Sequence, residues 1–334
     1  MRSRGDRRHA RRTTKGRRLV AAGQVLAVCL VCLATWLVLD ARQLYASSLA
    51  APLGARRSVA VAILRPVVRA AEALGIDRRV REVDRPGARG ATAPAAGTPQ
   101  RRRRVGPARP GLPPLAQPRP GHVLTILDVG DSIGEDLGIG LGSLLGGDRW
   151  VRVLQDAVGS TGLAAVGYYN WPLELEKELE TYHPELVVVM LGGNDAQSFD
   201  VGSTYVGFGT PLWRSVYSRR VATMMDEATS AGAHVLWVGM PIMSPQSVLS
   251  NTDMQLENTV YAREARHRVG VAFMSTWRLL ATPSGRYSEY LPDASGNLVQ
   301  VRDSDGVHVA APGGTDLLAA GVVREIERVW HIRL

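Results

Sequence analysis

Residues 185–193 read ELVVVMLGG. Apolar side chains run without a break from Leu186 to Leu191 and stop at Gly192 and Gly193. A short unbroken apolar run closed by glycine is the form of a strand covered on both faces. Working outward, similar segments alternate with helical ones. HVLTILDVG (122–130), WVRVLQDAV (150–158), HVLWVGMP (234–241) and VGVAFMST (269–276) read as further strands. Helices are expected over 135–145 (EDLGIGLGSLL), 173–183 (LELEKELETYH), 213–230, 252–268 and 314–330. Strand and helix alternating at this spacing predict an α/β fold, a three-layer α/β/α sandwich around a mostly parallel sheet. In such sheets ligands bind beyond the carboxyl ends of the strands.

The residues at those ends are of one kind. The first strand delivers Gly130-Asp131-Ser132, the second leads to GSTGL (159–163), and the third delivers LGGND (191–195). The last helix is preceded by RDSDGVHVAAPGG (302–314), with Asp305 and His308. Two accounts fit Ser132 in ILDVGDSIGEDLG (126–138). One is a strand ending in a tight turn, where Gly, Asp and Ser are common. The other is a nucleophile at a strand end, with glycines permitting close approach of backbone and substrate.

Charge divides the chain. The formal net charge is +9, but residues 1–121 carry 25 Lys+Arg against 6 Asp+Glu, and the remainder carries 15 against 25. The basic character therefore belongs to an arm with the composition of an unfolded chain, which argues against nucleic acid as a partner of the body. Residues 1–18 form a basic tail without apolar period. Residues 19–39 (LVAAGQVLAVCLVCLATWLVL) follow with Gln24 as the one strongly polar member. Such a run reaches about 30 Å as a helix, enough to span a bilayer, and the basic flank places the N-terminus in the cytoplasm. A retained anchor is expected; SSLAA near Ala50 leaves cleavage open. Cys29 and Cys32 lie within that run, so packing fits them better than metal or redox chemistry, and no cysteine remains to make a disulfide beyond it. Residues 40–83 form a juxtamembrane segment, helical in part. Residues 84–120, rich in Pro, Gly, Ala and Arg, have the composition of a disordered linker. The folded body is expected over 121–334, long enough for its own core.

Four blocks in this order, GDS (130–132), a glycine in STGL (160–163), GGND (192–195) and DGVH (305–308), resemble the SGNH (GDSL-type) hydrolases. The resemblance covers residues 122–334. GDSIGEDLGIGL (130–141), STGL, Trp213 and RDSDGVH (302–308) are similar to a bacterial branch that is often membrane-tethered. The resemblance implies a flavodoxin-like sheet and a serine acyl-ester mechanism without metal or other cofactor.

Within that resemblance Ser132 is the nucleophile, which imidazole can deprotonate near neutral pH. His308 is the base: His9 precedes the span, His183 precedes a proline, His234 opens a strand, and His267 and His331 lie on expected helices. Asp305 orients His308 and stabilises its charged form. The Ser132 amide, Gly162 (favoured over Gly159 by its place in STGL) and the Asn194 side chain form the oxyanion hole. Asp131 and Asp195 hold the loops by local hydrogen bonds. Trp213, Arg214 and Arg302 are candidates for a substrate cleft, with core packing and surface charge as equal accounts.

GDSIG also satisfies the G-x-S-x-G elbow of α/β-hydrolases. There the serine follows several strands and the acid stands far from the histidine; here Ser132 follows the first strand and Asp305 precedes His308 by three. Among metal signatures there is no HExxH and no Cys/His cluster. The expected function is an extracytoplasmic, membrane-anchored serine esterase acting on acyl, foremost acetyl, esters of envelope glycans. The same residues serve an O-acyltransferase onto envelope polysaccharide, which would need a multi-span acyl-donating membrane partner. A non-catalytic glycan-binding or scaffold domain is the third reading.

Overall fold

A computed structural model describes residues 112–334 apart from Ala294, together with Ile63 and Val67. The tail at 1–18, the span expected at 19–39, nearly all of 40–83 and the linker up to residue 111 lie outside the described residues. Among the described residues no helix is long and apolar enough to cross a membrane.

Five strands form the central sheet: β1 (Leu124–Gly130), β2 (Val151–Ala157), β3 (Leu186–Met190), β6 (His234–Val238) and β7 (Val271–Met274). Their order is β2-β1-β3-β6-β7, and every neighbouring pair is parallel. The helices are α1 (Ser132–Leu145), α2 (Trp171–Tyr182), α3 (Pro211–Ser230), α4 (Asn251–Arg266) and α5 (Gly313–Trp330). Strand periodicity of two sorts the core into two layers. Leu124, Ile126, Leu186, Val188, Met190, Leu236 and Val238 pack with Leu137 and Leu141 of α1 and Leu318 and Val322 of α5. The alternate residues Leu127, Val129, Val187, Val189, Val235 and Trp237 pack with side chains of α2, α3 and α4. β3 is thus apolar on both faces, as ELVVVML requires.

Two hairpins lie outside the sheet: β4 (Phe199–Val201) with β5 (Thr204–Val206), and β8 (Tyr290–Pro292) with β9 (Leu298–Gln300). With three residues per strand they are too short to leave a period in the sequence. The packed body reaches back to residue 112, into the segment whose composition reads as linker. Leu115 is buried in the core, His234 Nε2 meets the Pro113 carbonyl at 2.9 Å, and the Gln117 amide exchanges hydrogen bonds with Arg333.

The strand order places the site. From β1 the chain steps to β2 on one side and to β3 on the other, so the crevice at the carboxyl ends of β1 and β3 is the topological switch point. Gly130 closes β1 there, and Leu191-Gly192-Gly193 leaves β3 beside it, with Gly130 paired to Met190.

Candidate active site

The turn from β1 into α1 is dictated by close backbone approach. A Cβ on Gly130 would lie 2.5 Å from the Met190 carbonyl oxygen and 2.6 Å from Gly134 Cα, and one on Gly134 would lie 2.8 Å from the same oxygen. Both glycines let helix and turn press onto the end of β3. Asp131 caps α1 by accepting from Ile133 N at 2.9 Å, so the helix opens at Ser132, three residues before the start expected from its periodicity. The serine therefore sits at the positive end of a helix dipole. Its Oγ is enclosed and makes no hydrogen bond.

Asp131 does more than cap. Its other carboxylate oxygen accepts from Gly192 N (3.0 Å) and Gly193 N (2.7 Å), joining the nucleophile turn to the end of β3. Burial pushes the Asp131 carboxyl up to about 6, and the charge of Asp195 adds to this, while the three N–H donors pull the other way. Asp195 performs the same service one turn further. It accepts from Leu163 N (3.0 Å), Ala164 N (2.7 Å) and the Tyr217 hydroxyl (2.6 Å), and so fastens the GSTGL turn to GGND. Burial raises its pKa, and these hydrogen bonds oppose the shift. The local bond expected of Asp131 is the cap on Ile133 N; beyond it, both aspartates tie together turns from different strands.

Asn194 is buried and donates from Nδ2 to the Thr161 carbonyl at 2.8 Å, which fixes the direction of its amide against the glycine turn. Thr161 is itself held, accepting from Trp171 Nε1 at 2.9 Å. Within that turn Gly159 borders the serine, since a Cβ there would meet only Ser132 Cβ, at 3.8 Å. Gly162 backs onto Asp195 instead, where a Cβ would run into the carboxylate.

The base loop is built on side chains. His308 Nδ1 and Asp305 Oδ2 are 2.6 Å apart, and Asp305 Oδ1 accepts from Val307 N (2.8 Å) and His308 N (3.0 Å). Burial would raise the Asp305 carboxyl, but the bonds from the imidazole and the two amides hold it at about 2. Burial would lower His308; hydrogen bonding to Asp305 and the charges of Asp305, Asp136 and Asp131 outweigh it and raise the imidazole above its ordinary value. Val309, the next residue, donates its N–H to Asp136 Oδ2 at 2.8 Å, which brings the loop onto α1 one turn beyond Ser132.

Residues 125–325, which contain all four blocks, match the family described as "Protein of unknown function (DUF459)". The chain belongs to that family. No curated protein matches the sequence. Among solved structures, this DUF459 chain is similar to a GDSL-like lipase from Bacteroides thetaiotaomicron, at 15% identity over 64% of this chain and 92% of the other, with a TM-score of 0.42. It is also similar to a carbohydrate esterase family 3 protein from Talaromyces cellulolyticus (13% identity, 63% and 99% covered, TM-score 0.44). A variant of an acetylxylan esterase from Geobacillus stearothermophilus is a third (14%, 63% and 96%, 0.41).

The other described histidines of the DUF459 chain have architectural positions. His183 and His331 terminate α2 and α5 in left-handed conformations, and His267 terminates α4. His234 contacts Pro113 O and Trp330 Nε1, and His122 pairs with Glu185. The three cleft candidates are not brought together. Trp213 is fully buried, stacked on Tyr217, with Nε1 bonded to the Gln197 carbonyl. Arg214 is exposed and bonds Gly209 O at the start of α3. Arg302 is fully buried and donates to the carbonyls of Ile242 (2.8 Å), Val307 (2.6 Å) and His308 (3.2 Å). It shapes the base loop from behind and has no open face for a substrate. Asp136 and Thr161 were not singled out from sequence; DLG and STG are ordinary helix and turn sequences, and both residues acquire their roles from partners far along the chain.

Proposed function

We propose that this chain is an SGNH-type serine esterase outside the cytoplasmic membrane, anchored by residues 19–39 and acting on acyl esters, acetyl foremost, of cell-envelope glycans. The observation that carries the reading is the Asp305–His308 pair at 2.6 Å, on a loop bonded to the helix whose first residue is Ser132. Nucleophile, base and orienting acid then share one end of one sheet.

In the reaction His308 Nε2 serves as the base for Ser132 Oγ, a hydrogen bond to be made as substrate binds. Oγ attacks the ester carbonyl carbon as its proton passes to Nε2, and the carbonyl electron pair moves to oxygen. The resulting imidazolium is stabilised by ionised Asp305. The oxyanion is received by the Ser132 amide at the helix N-terminus, by the glycine turn and by the Asn194 side chain. Gly162 remains the backbone donor read from the STGL block, with Gly159, which borders the serine, as the alternative. Collapse expels the alcohol with the proton from His308 and leaves acyl-Ser132. Water, deprotonated by His308, then releases the acid. A sugar hydroxyl in place of water would make the enzyme an O-acyltransferase from the same intermediate, and cytoplasmic acyl donors would then require a multi-span partner.

The test is p-nitrophenyl acetate hydrolysis by the full chain and by Ser132→Ala, with and without an envelope oligosaccharide, alongside labelling by a fluorophosphonate. Nitrophenol release and a label that both depend on Ser132 are expected. Acetylated oligosaccharide among the products would replace the esterase with the transferase. Absence of both release and label would overturn the enzymatic reading in favour of a glycan-binding domain.

A further inference from the structure

The base loop has several anchors, and they lead to different places. Arg302 ties it to the Ile242 carbonyl, and Gly306 O accepts from Ser244 N at 3.0 Å; both partners lie in the connection between β6 and α4. The Asp303 N–H donates to His308 O within the loop itself. The Asp136 bond to Val309 N ends instead on α1, four residues after Ser132. Positions four apart lie on one face of a helix. The carboxylate that grips the residue after His308 therefore rises from the same face as the serine.

We propose that Asp136 is a positioning residue of the esterase centre, clamping the base loop to the nucleophile helix and presenting a second acidic group to His308. The proposal rests on the reading of Ser132 and His308 as nucleophile and base. Asp136 touches neither substrate nor reacting atoms; it acts through the loop and through its charge. The groups facing it are His308, Asp303 and the buried Arg302 of the loop and Asp131 at the helix start. Burial is the largest influence on its carboxyl and pushes it up to about 7, against the Val309 N–H and the charge of His308. The charges of Asp136 and His308 thus bear on each other. Formation of the imidazolium favours the Asp136 carboxylate, and the carboxylate favours the imidazolium.

Asp136→Asn and Asp136→Ala in the full chain separate the two contributions. The Asn variant retains an oxygen to accept from Val309 N but lacks the charge; the Ala variant loses both. Two readouts are used: kcat and KM for p-nitrophenyl acetate against pH, and the His308 imidazole titration by NMR, assigned with a His308→Gln control. In the Ala variant kcat is expected to fall about 10- to 100-fold with KM little changed, the effect of a misplaced reacting group. The Asn variant should recover most of kcat at high pH. Its acid limb and its His308 titration should both move to lower pH, because a negative charge that favours the imidazolium has been removed. Wild-type kcat in both variants, or an unmoved His308 titration in Asp136→Asn, overturns the proposal. Should the Ala variant not fold, the Asn variant decides by its His308 titration. If wild-type protein shows no Ser132-dependent turnover while the Asn titration still moves, the esterase reading fails and the charge coupling stands.

Discussion

Ser132 is set by main-chain packing, whereas His308 is set by side chains. On the serine side, Gly130 and Gly134 press against the Met190 carbonyl, and two buried aspartates gather backbone amides from neighbouring turns. On the histidine side, one buried arginine gathers carbonyls while Asp305 holds the ring and Asp136 the loop. The serine side sits in the centre of a sheet, where strand register already fixes the backbone. The base loop lies between β9 and α5, outside the central sheet, closed only by an isolated bridge between Arg302 and Val309, and a buried charged group holds it from within.

Different substitutions should therefore break the two sides, and the largest effect is chemical. Asp305→Asn keeps an oxygen to accept from Val307 N and His308 N, so the fold should hold. It loses the ionised partner of the imidazole, and kcat should fall by about 10³–10⁴, the scale of a triad whose acid is neutralised. Steady-state hydrolysis with a thermal unfolding control checks this.

Next come the opposed stability effects of two glycines. Gly130→Ala drives a methyl into backbone on two sides and should cost about 1–3 kcal/mol, read as a lower urea midpoint. Gly159→Ala meets only an ordinary contact with Ser132 and should leave stability within about 0.5 kcal/mol. Equal loss in both would mean that backbone packing does not set the serine side.

Arg302→Met removes the guanidinium donors from four carbonyls and should cost a similar 1–3 kcal/mol, approximately the penalty of leaving buried groups unpaired. Its signature is location. Hydrogen exchange should quicken over 303–309 and stay unchanged in β1, and acceleration in both would erase the distinction between the two sides.

The smallest effect is in pH. Hydrolysis needs neutral His308, whose pKa is raised, so the acid limb should have its midpoint above the ordinary histidine value of about 6.5. It should move down in Asp305→Asn. The same shift makes the imidazolium stabilise the fold below that ordinary value, a contribution lost as pH rises through the raised pKa. The Asp305 contribution runs the other way, being present above about 4 and lost as pH falls toward its folded value of about 2.

Much of this was legible from residues. The five sheet strands and five helices of the described body sit where apolar runs and periodicity predict them. Boundaries moved where a cap intervened, as Asp131 started α1 early. Ser132, Asn194, Asp305 and His308 stood out because their blocks fall at strand ends in order. Residue type left one question open: a tryptophan and an arginine fit a substrate cleft and core packing equally, and Trp213 and Arg302 are wholly interior. Residue identity does not encode depth when a large side chain can bond backbone carbonyls internally.

The sequence by itself determined the sheet, the alternation, and which residues stand at the carboxyl ends of the strands, because hydrophobic period and glycine-bounded runs are local properties of a chain. Only the tertiary structure decided which turns those residues hold. Asp131 meets amides 61 and 62 residues away and Asp136 meets one 173 residues away. A carboxylate accepts any amide that packing presents, and packing is a property of the whole fold.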